Sequence, residues 1–226
     1  DIALRGMIIR DLAAIGVRKM IFSYGQQSTA DIARRYGIQA VMSNGGWWDY
    51  SVLGPIEPPD ECRAVDKDGN PIPGIAWNPT CIAEGCEEYE KLVLEPIKRA
   101  IESGRWDGFM LDYEGAGAPN WNPSPANISF DEKSMEAFKR YSGITDLNWP
   151  NDVLANGKYR LHWIDFRTSQ NAMYVKSIAE AVKRGKPNAL TETWSDGFLK
   201  PYPTHSIYSV HASDISKFAK YVDQVT

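Results

Sequence analysis

Two carboxylates, Asp112 and Glu114, end a short and mostly apolar run, Trp106 to Glu114, that is typical of a buried β-strand. Side chains alternate along a strand, so Asp112 and Glu114 share one face with Met110. Their spacing of about 6–7 Å lets one carboxylate stay charged while the other is held protonated. Cleavage of a glycosidic bond uses such a pair, as an acid for the leaving oxygen and a carboxylate that stabilises or attacks the oxocarbenium-like centre. We therefore expect both to be catalytic, the alternative being an ion-paired or hydrogen-bonded strand end.

A third carboxylate lies on another short β-rich run, Leu190 to Trp194. Alternation puts Glu192 and Trp194 on one face of that strand. Glu192 is therefore a further catalytic candidate, and the indole of Trp194 is a candidate platform for a sugar ring. The alternative is a core tryptophan beside a strand-end salt bridge.

Aromatic residues are frequent, with 8 Trp and 11 Tyr, and many stand beside Gly, Pro and Asn instead of within periodic segments. Exposed rings in loops suit flat, weakly polar ligands such as sugars. Trp47 and Trp48 could instead pack within their own loop, and Asp196, which precedes Gly197, could be only a turn former. The remaining substrate-binding candidates are Asn44, Trp47, Trp48, Asp107, Tyr113, Trp121 and Asp196.

The segment Asp107 to Glu114, with the sequence Asp-Gly-Phe-Met-Leu-Asp-Tyr-Glu, resembles the fourth-strand signature of barrel glycoside hydrolases. It is most similar to the chitinase-like family 18, whose loose pattern is an Asp-Gly pair followed by Asp-x-Asp-x-Glu. This resemblance implies that Glu114 is the general acid and that Asp112 orients the acetamido group of the substrate, which acts as the nucleophile. Met110 departs from the pattern, since the family has another Asp there. The phrase Asp-Gly-Phe-x-x-Asp also resembles strand four of α-glycosidase and fucosidase-like barrels, where the residue matching Asp112 is the nucleophile.

Helical and extended patterns alternate along the chain, which indicates an α/β fold with a parallel sheet. Predicted helices cover 4–15, 29–36, 86–101, 131–141, 160–184 and 213–221, and predicted strands cover Lys19–Tyr24, Gln39–Asn44, Trp106–Glu114 and Leu190–Trp194, with 222–226 opening a fifth. The first helix has an apolar stripe that includes Leu4, Met7 and Ile8, and the turn-forming residues of 45–83 predict irregular structure there. Long aromatic segments follow the strand ends and no Gly-rich phosphate fingerprint is seen, which favours a (β/α)8 barrel over a doubly wound sheet.

The resemblance makes the acid-bearing strand the fourth of its barrel, and the segments Asp66–Gly69 and Trp77–Cys81 before it are similar to uncharacterised glycosidase-like barrels. Residues 1–226 are then expected to form one barrel domain, incomplete in this chain and holding about strands two to five or six. We expect the strands in sequence order, with open edges at the first and the last.

Three cysteines, Cys62, Cys81 and Cys86, fall within 25 residues. A disulfide from Cys62 to either Cys81 or Cys86 would leave one free thiol and predicts a secreted or extracytoplasmic protein. Reduced, buried thiols are the alternative. A zinc site is disfavoured because all three histidines are distant in sequence, so neither metal nor cofactor is expected.

The charge and hydropathy patterns exclude some classes of binding partner. The net charge is −4 without a basic stripe, which argues against nucleic acid, and no apolar run has the length of a membrane span. A carbohydrate substrate remains, while the oligomeric state is open. The sequence thus predicts a glycoside hydrolase of polysaccharides or glycoconjugates. One alternative is a non-catalytic, carbohydrate-binding barrel that has lost an acidic residue at the position of Met110. The other is a barrel enzyme of different chemistry.

Overall fold

The computed structural model of the protein describes residues 2–43, 56–73, 77–113, 125–195 and 214–225. Within these ranges helices and strands alternate in an α/β arrangement. The strands are β1 Lys19–Ser23, β2 Gln39–Ser43, β3 Gly108–Tyr113, β4 Leu190–Ser195 and β5 Gln224–Val225. The helices are α1 Ile2–Ala14, α2 Gln27–Arg35, α3 Pro79–Ala83, α4 over 87–102, α5 Glu132–Ser142, α6 Arg160–Gly185 and α7 Ile215–Phe218.

All five described strands are parallel and lie in the order β1-β2-β3-β4-β5. The predicted strands and their sequential order are therefore confirmed, including the start of a fifth strand. Consecutive strands are neighbours because each helical connection returns the chain to the same end of the sheet. In the described part of the sheet, β1 and β5 are the edges.

The two faces of the sheet have different surroundings. Apolar side chains at alternate strand positions, namely Phe22, Met42, Phe109 and Leu111, pack in the main core. Their helical partners there include Ile101, Val175 and Val182. The intervening positions form the opposite face, which we call the concave face and define by Lys19, Val41, Met110, Glu192 and Gln224, all of which the strand registers place on the same side.

One ion pair shows that this face is curved. The Nζ atom of Lys19 lies 2.8 Å from Oε2 of Glu192 and 3.1 Å from Oε1 of Gln224. In a flat sheet β1 and β4 would be about 14 Å apart, because neighbouring strands are about 4.8 Å apart, and their side chains would project in parallel. The three side chains meet because the sheet curls, so that its concave side chains converge.

Two helical regions differ from the sequence expectation. α3 lies where irregular structure was expected, with Asn78 as its N-cap and Pro79 in its first turn. α4 is interrupted by a π-helical stretch, Glu90–Leu94, just before Pro96. Proline lacks an N–H and crowds the preceding turn, so the π-helical stretch accommodates it within a continuous helical segment.

The apolar stripe predicted for α1 does not face the core. Ile9 is buried, whereas Leu4, Met7 and Ile8 are at least half exposed. The helix touches α2 through the side opposite the predicted stripe, because Ile9 and Ala13 form its contact with the core. The predicted helix is confirmed, and its apolar stripe is largely exposed.

Helix α6 is longer than the sheet that it covers. Its 26 residues span about 39 Å, while six-residue β4 spans about 20 Å. Its second half, with Val175 and Val182, packs on the sheet, whereas Trp163 and Phe166 in its first half belong to a separate aromatic cluster. Since α6 leads into the start of β4, its first half projects beyond the C-terminal ends of the strands.

No helix among the described residues is both long and apolar enough to cross a membrane.

Candidate functional site

The predicted catalytic strand is β3, in the middle of the described sheet. Asp112 and Tyr113 are its last two residues and pair in register with Trp194 and Ser195 of β4. The backbone therefore brings three predicted site positions, Asp112, Tyr113 and Trp194, to one end of two adjacent strands. The C-terminal ends of parallel strands are where α/β folds bind their ligands.

The other candidates that were expected around this end lie outside the described residues. They are Glu114, Asn44, Trp47, Trp48, Trp121 and Asp196. Each follows a described strand within the adjoining segment, and their roles remain predictions.

Glu192 does not lie at the C-terminal edge of the sheet but further back along β4. It is in register with Met110, one concave-face position before Trp194, which is about 6–7 Å along the strand. Its side chain is 1% exposed and its carboxylate is occupied by the ammonium group of Lys19. This geometry corresponds to the salt-bridged alternative considered for the strand, and it gives Glu192 a role in holding β1 against β4.

Asp107 lies at the opposite end of the strands from Asp112. Its carboxylate accepts a hydrogen bond from the backbone N–H of Ala40 at 3.1 Å and forms ion pairs with Arg34 and Lys186 at 3.3 and 3.4 Å. Its backbone also bonds Ala40, the second residue of β2, and Leu190, the first residue of β4. These contacts align the starts of β2, β3 and β4, and they are remote from the predicted substrate-binding end.

A buried arginine holds together the segments next to the C-terminal ends of the strands. Arg167, in the projecting half of α6, is 1% exposed and lies 4.3 Å over the ring of Trp163. Its guanidinium donates hydrogen bonds to the backbone carbonyls of Ile128 and Ser129 and to Oε1 of Gln170. Burial lowers the pKa of Arg167 to about 9, a change opposed by the charge of Asp131, so the group is still a cation at neutral pH.

The same network extends to the segment between β2 and β3. Gln170 donates a hydrogen bond to the hydroxyl of Thr80 at 2.9 Å, and Thr80 is 2.8 Å from the hydroxyl of Ser134. Asn78 donates to Asp131, the N-cap of α5, at 2.8 Å. Parts of the chain that follow β2 and β3 are therefore fixed to one helix by buried hydrogen bonds.

Sequence reasoning did not identify Arg167. The available signal was a charged residue within the buried stripe of an amphipathic helix, since a buried cation requires hydrogen-bond partners. Apart from Gln170 on the same helix, those partners are Ile128, Ser129 and Thr80. They come from two segments about 40 and 90 positions earlier in the chain, so the sequence pattern of the helix could not name them.

A polar cluster anchors α7, which follows the segment after β4, to the same helix. Lys217 donates hydrogen bonds to Asp165 at 2.6 Å and to the hydroxyls of Thr168 and Ser169 at 2.6 and 2.9 Å. Tyr141 of α5 also donates to Asp165. Burial raises the pKa of Asp165, but these hydrogen bonds and the lysine charge outweigh it and leave the pKa below its ordinary value.

Among the described residues, no group of three or more His, Cys, Asp or Glu side chains has an arrangement that could hold a metal ion.

Comparison with known proteins gives a likeness of fold. No family model and no curated protein sequence matches the chain. A beta-galactosidase from the psychrophilic Marinomonas ef1 superimposes with a TM-score of 0.61 at 12% identity, covering 99% of this chain and 38% of that one. The polyextremophilic beta-galactosidase of the Antarctic haloarchaeon Halorubrum lacusprofundi gives 0.59 at 13% identity, covering 97% and 37%. A beta-galactosidase from Bacillus circulans sp. alkalophilus gives 0.55 at 15% identity, covering 99% and 37%.

The chain therefore spans less than two fifths of the length of these solved chains. The likeness lends no support to the resemblance to family 18 chitinases. What the alternating elements, the parallel sheet and the superpositions together show is an α/β chain with a glycosidase-like fold.

Proposed function

We propose that the protein is a glycoside hydrolase whose reaction takes place at the C-terminal end of β3, and that β1 to β5 are strands two to six of a (β/α)8 barrel. The observation that carries the proposal is the position of Asp112, at the C-terminal end of a central strand in a curved parallel sheet. The fold likeness to beta-galactosidases supports it independently of any motif.

In this proposal Glu114 protonates the departing glycosidic oxygen, and Asp112 either stabilises the oxocarbenium-like centre or attacks it. Their separation of two positions in the sequence would keep the two carboxylates near each other, which would favour one charged and one protonated form. Glu192, which is bound to Lys19, acts as a positioning residue that maintains the curvature beneath them.

The proposed substrate is a β-galactoside or a related glycoside of a polysaccharide or glycoconjugate, by analogy with the neighbours in fold. We further propose that Trp47, Trp48, Trp121 and Trp194 supply ring surfaces for the sugar, with Asn44, Tyr113 and Asp196 as hydrogen-bonding partners. In this proposal the aromatic cluster and the Arg167 network stabilise the described segments that adjoin the C-terminal ends of the strands.

The direct test is turnover of a panel of chromogenic aryl glycosides that includes the β-galactoside, with the intact protein and with Glu114→Gln and Asp112→Asn. Each substitution should lower kcat at least about 100-fold while the protein stays folded, because general acid–base groups contribute on that scale. Asp60→Asn, at a fully exposed side chain, is the control and should leave kcat unchanged. Near-normal turnover in both acidic-site variants would reject these catalytic assignments.

A carbohydrate-binding barrel without catalysis is the second candidate. The observation in its favour is Met110, which is in register with Glu192 on the concave face where the chitinase pattern has an acid. Quenching of tryptophan fluorescence by oligosaccharides, together with no hydrolysis of any aryl glycoside, would favour this candidate over the first.

A further inference from the structure

The three cysteines form a cluster that the proposed function does not use. Cys62 ends a short 3-10 turn, Cys81 lies in α3, and Cys86 is the N-cap of α4. Cys62 and Cys81 are buried, Cys86 is partly exposed, and all three are reduced in this structure. We call these residues the thiol cluster.

The sulfur atoms in the cluster are not equivalent. The Sγ atoms of Cys62 and Cys86 are 2.6 Å apart. Non-bonded heavy atoms are most stable at about 3.5–4.0 Å, while a disulfide bond is about 2.05 Å long. Cys81 instead has its Sγ atom 3.4 Å from the carbonyl oxygen of Glu61 and 3.4 Å from Nζ of Lys133.

The backbone holds the first two sulfurs together without help from the sulfurs themselves. The N–H of Asn78 donates to the carbonyl of Cys62 at 2.7 Å, and the N–H of Cys86 donates to the carbonyl of Cys81 at 3.0 Å. The rings of Trp77, which lies between Cys62 and Cys81 in the sequence, and of Tyr89, which follows Cys86, pack edge to face with centres 5.1 Å apart. Both cysteines are thus already positioned for a bond.

We propose that Cys62 and Cys86 are a disulfide-forming pair and that Cys81 is the thiol that remains free. This chooses between the two pairings that the sequence left open. A stable bridge needs an oxidising compartment, so the proposal agrees with the extracytoplasmic location predicted from the cysteines.

The reaction balances with a low-molecular-weight disulfide, such as oxidised glutathione, as the oxidant. The more exposed Cys86 loses its proton and attacks one glutathione sulfur, which forms a mixed disulfide and releases a glutathione thiolate. The Cys62 thiol then loses its proton and attacks the Cys86 sulfur, which releases the second glutathione. Two cysteine thiols are oxidised to one bridge, and one glutathione disulfide is reduced to two glutathione molecules, each thiolate gaining a proton.

Cys81 is not expected to take part in this reaction, because it is less accessible to a dissolved oxidant than Cys86. Its residue is 1% exposed, so a dissolved disulfide reaches Cys86 first. Burial raises the pKa of the Cys81 thiol in spite of the nearby Lys133 charge, which makes Cys81 a poor nucleophile.

The experiment is oxidation of the intact protein with oxidised glutathione, followed by alkylation and peptide mapping by mass spectrometry. We expect one crosslinked peptide pair, Cys62 with Cys86, that has lost two hydrogen atoms, and alkylation of Cys81 only after unfolding. The oxidised protein should have a Tm about 5–10 °C above the reduced protein, because the bridge closes a loop between residues 24 positions apart.

Cys81→Ser is the matched variant and should keep both the crosslink and the Tm rise, whereas Cys86→Ser should lose both. A dominant Cys62–Cys81 crosslink would overturn the proposal. So would three thiols that stay free under oxidation and react only on unfolding, since that result would make the cluster a set of inert buried thiols. Circular dichroism of each reduced variant establishes that it is folded before oxidation.

Discussion

At the scale of single residues, the concave face depends on a contact between distant parts of the chain. Lys19 and Glu192 are 173 positions apart, and the Glu192 side chain is almost fully buried while the Lys19 side chain is 27% exposed. The pair is thus available for a structural test that also bears on the choice of catalytic residue.

We predict that Lys19→Met destabilises the protein by about 3–5 kcal/mol, because it leaves a buried carboxylate without its cation. Glu192→Gln should cost less, since the amide still accepts a hydrogen bond from Lys19, and adding it to Lys19→Met should recover part of the loss. Denaturant unfolding of the single and double variants measures this coupling. A Glu192→Gln variant of unchanged stability but with kcat lowered at least about 100-fold would instead make Glu192 catalytic.

A second residue-scale prediction concerns Gly108, the first residue of β3. A Cβ atom there would be 2.5 Å from the carbonyl oxygen of Leu190 and 2.7 Å from its Cβ atom. Gly108→Ala should therefore cost about 1–3 kcal/mol through overpacking of β3 against β4. Gly6→Ala in α1, where a Cβ meets nothing within 4 Å, should stabilise the protein by about 0.5–1 kcal/mol. Equal effects at both positions in thermal unfolding would contradict the close strand approach.

At the scale of elements, the two halves of α6 have different structural roles. The second half closes the core over the sheet, and the first half carries the aromatic cluster and Arg167 beyond the strand ends. The segments around that end are consequently positioned by a helix that belongs to the main fold.

We predict that Arg167→Met destabilises the protein by about 3–5 kcal/mol, because the carbonyls of Ile128 and Ser129 would lose a buried donor. Arg184→Ala on the same helix is the control, since it removes only a surface ion pair with Glu90 and should cost at most about 1 kcal/mol. Urea unfolding compares the two. A cost at Arg167 no larger than that at Arg184 would show that the network is not needed for stability.

At the scale of the whole molecule, acid stability depends on carboxylates whose pKa values are lowered by folding. For both Asp165 and Asp223 burial acts to raise the pKa, but hydrogen bonds, with Lys217 and Lys183 as the first donors respectively, outweigh it. A lowered folded pKa contributes stability above the unfolded value, near 3.8, and that contribution is lost as the pH falls through the folded value.

These two groups should therefore contribute fully at pH 5 to 8 and progressively less below about pH 4. We expect Asp165→Asn with Asp223→Asn to lower the Tm by about 2–4 °C at pH 6, a small effect because both side chains are more than a third exposed. The difference from wild type should shrink at pH 3. A difference that is constant from pH 6 to pH 3 would rule out this linkage.

Much of this architecture follows from local patterns. The short runs at Lys19, Gln39, Gly108 and Leu190 predict the strands because a buried strand needs only a few adjacent apolar or β-branched residues. Five-residue α3 was missed because it is too short to show a helical period, although Asn-Pro at its start is a capping signal.

Local sequence patterns predict less of the candidate site than of the fold. Alternation identifies residues that share a face, but it cannot show how far along the strand that face is solvated. Alternation therefore predicts Glu192 as a catalytic candidate, while the structure shows its carboxylate in a buried ion pair. Its lysine partner, and the partners of Arg167, come from segments that only the folded chain brings together.

The sequential strand order also bears on how the protein is made. A ribosome delivers β1 before β2 and each later strand after its neighbour, so every strand that emerges finds its hydrogen-bonding edge already synthesised. No described strand has to wait for a later one to be inserted beside it. The newest strand is the open edge at each stage, and for β3 that edge stays uncovered while 76 residues, 114–189, are translated before β4 begins. That interval is when the nascent chain is most exposed to pairing with other chains.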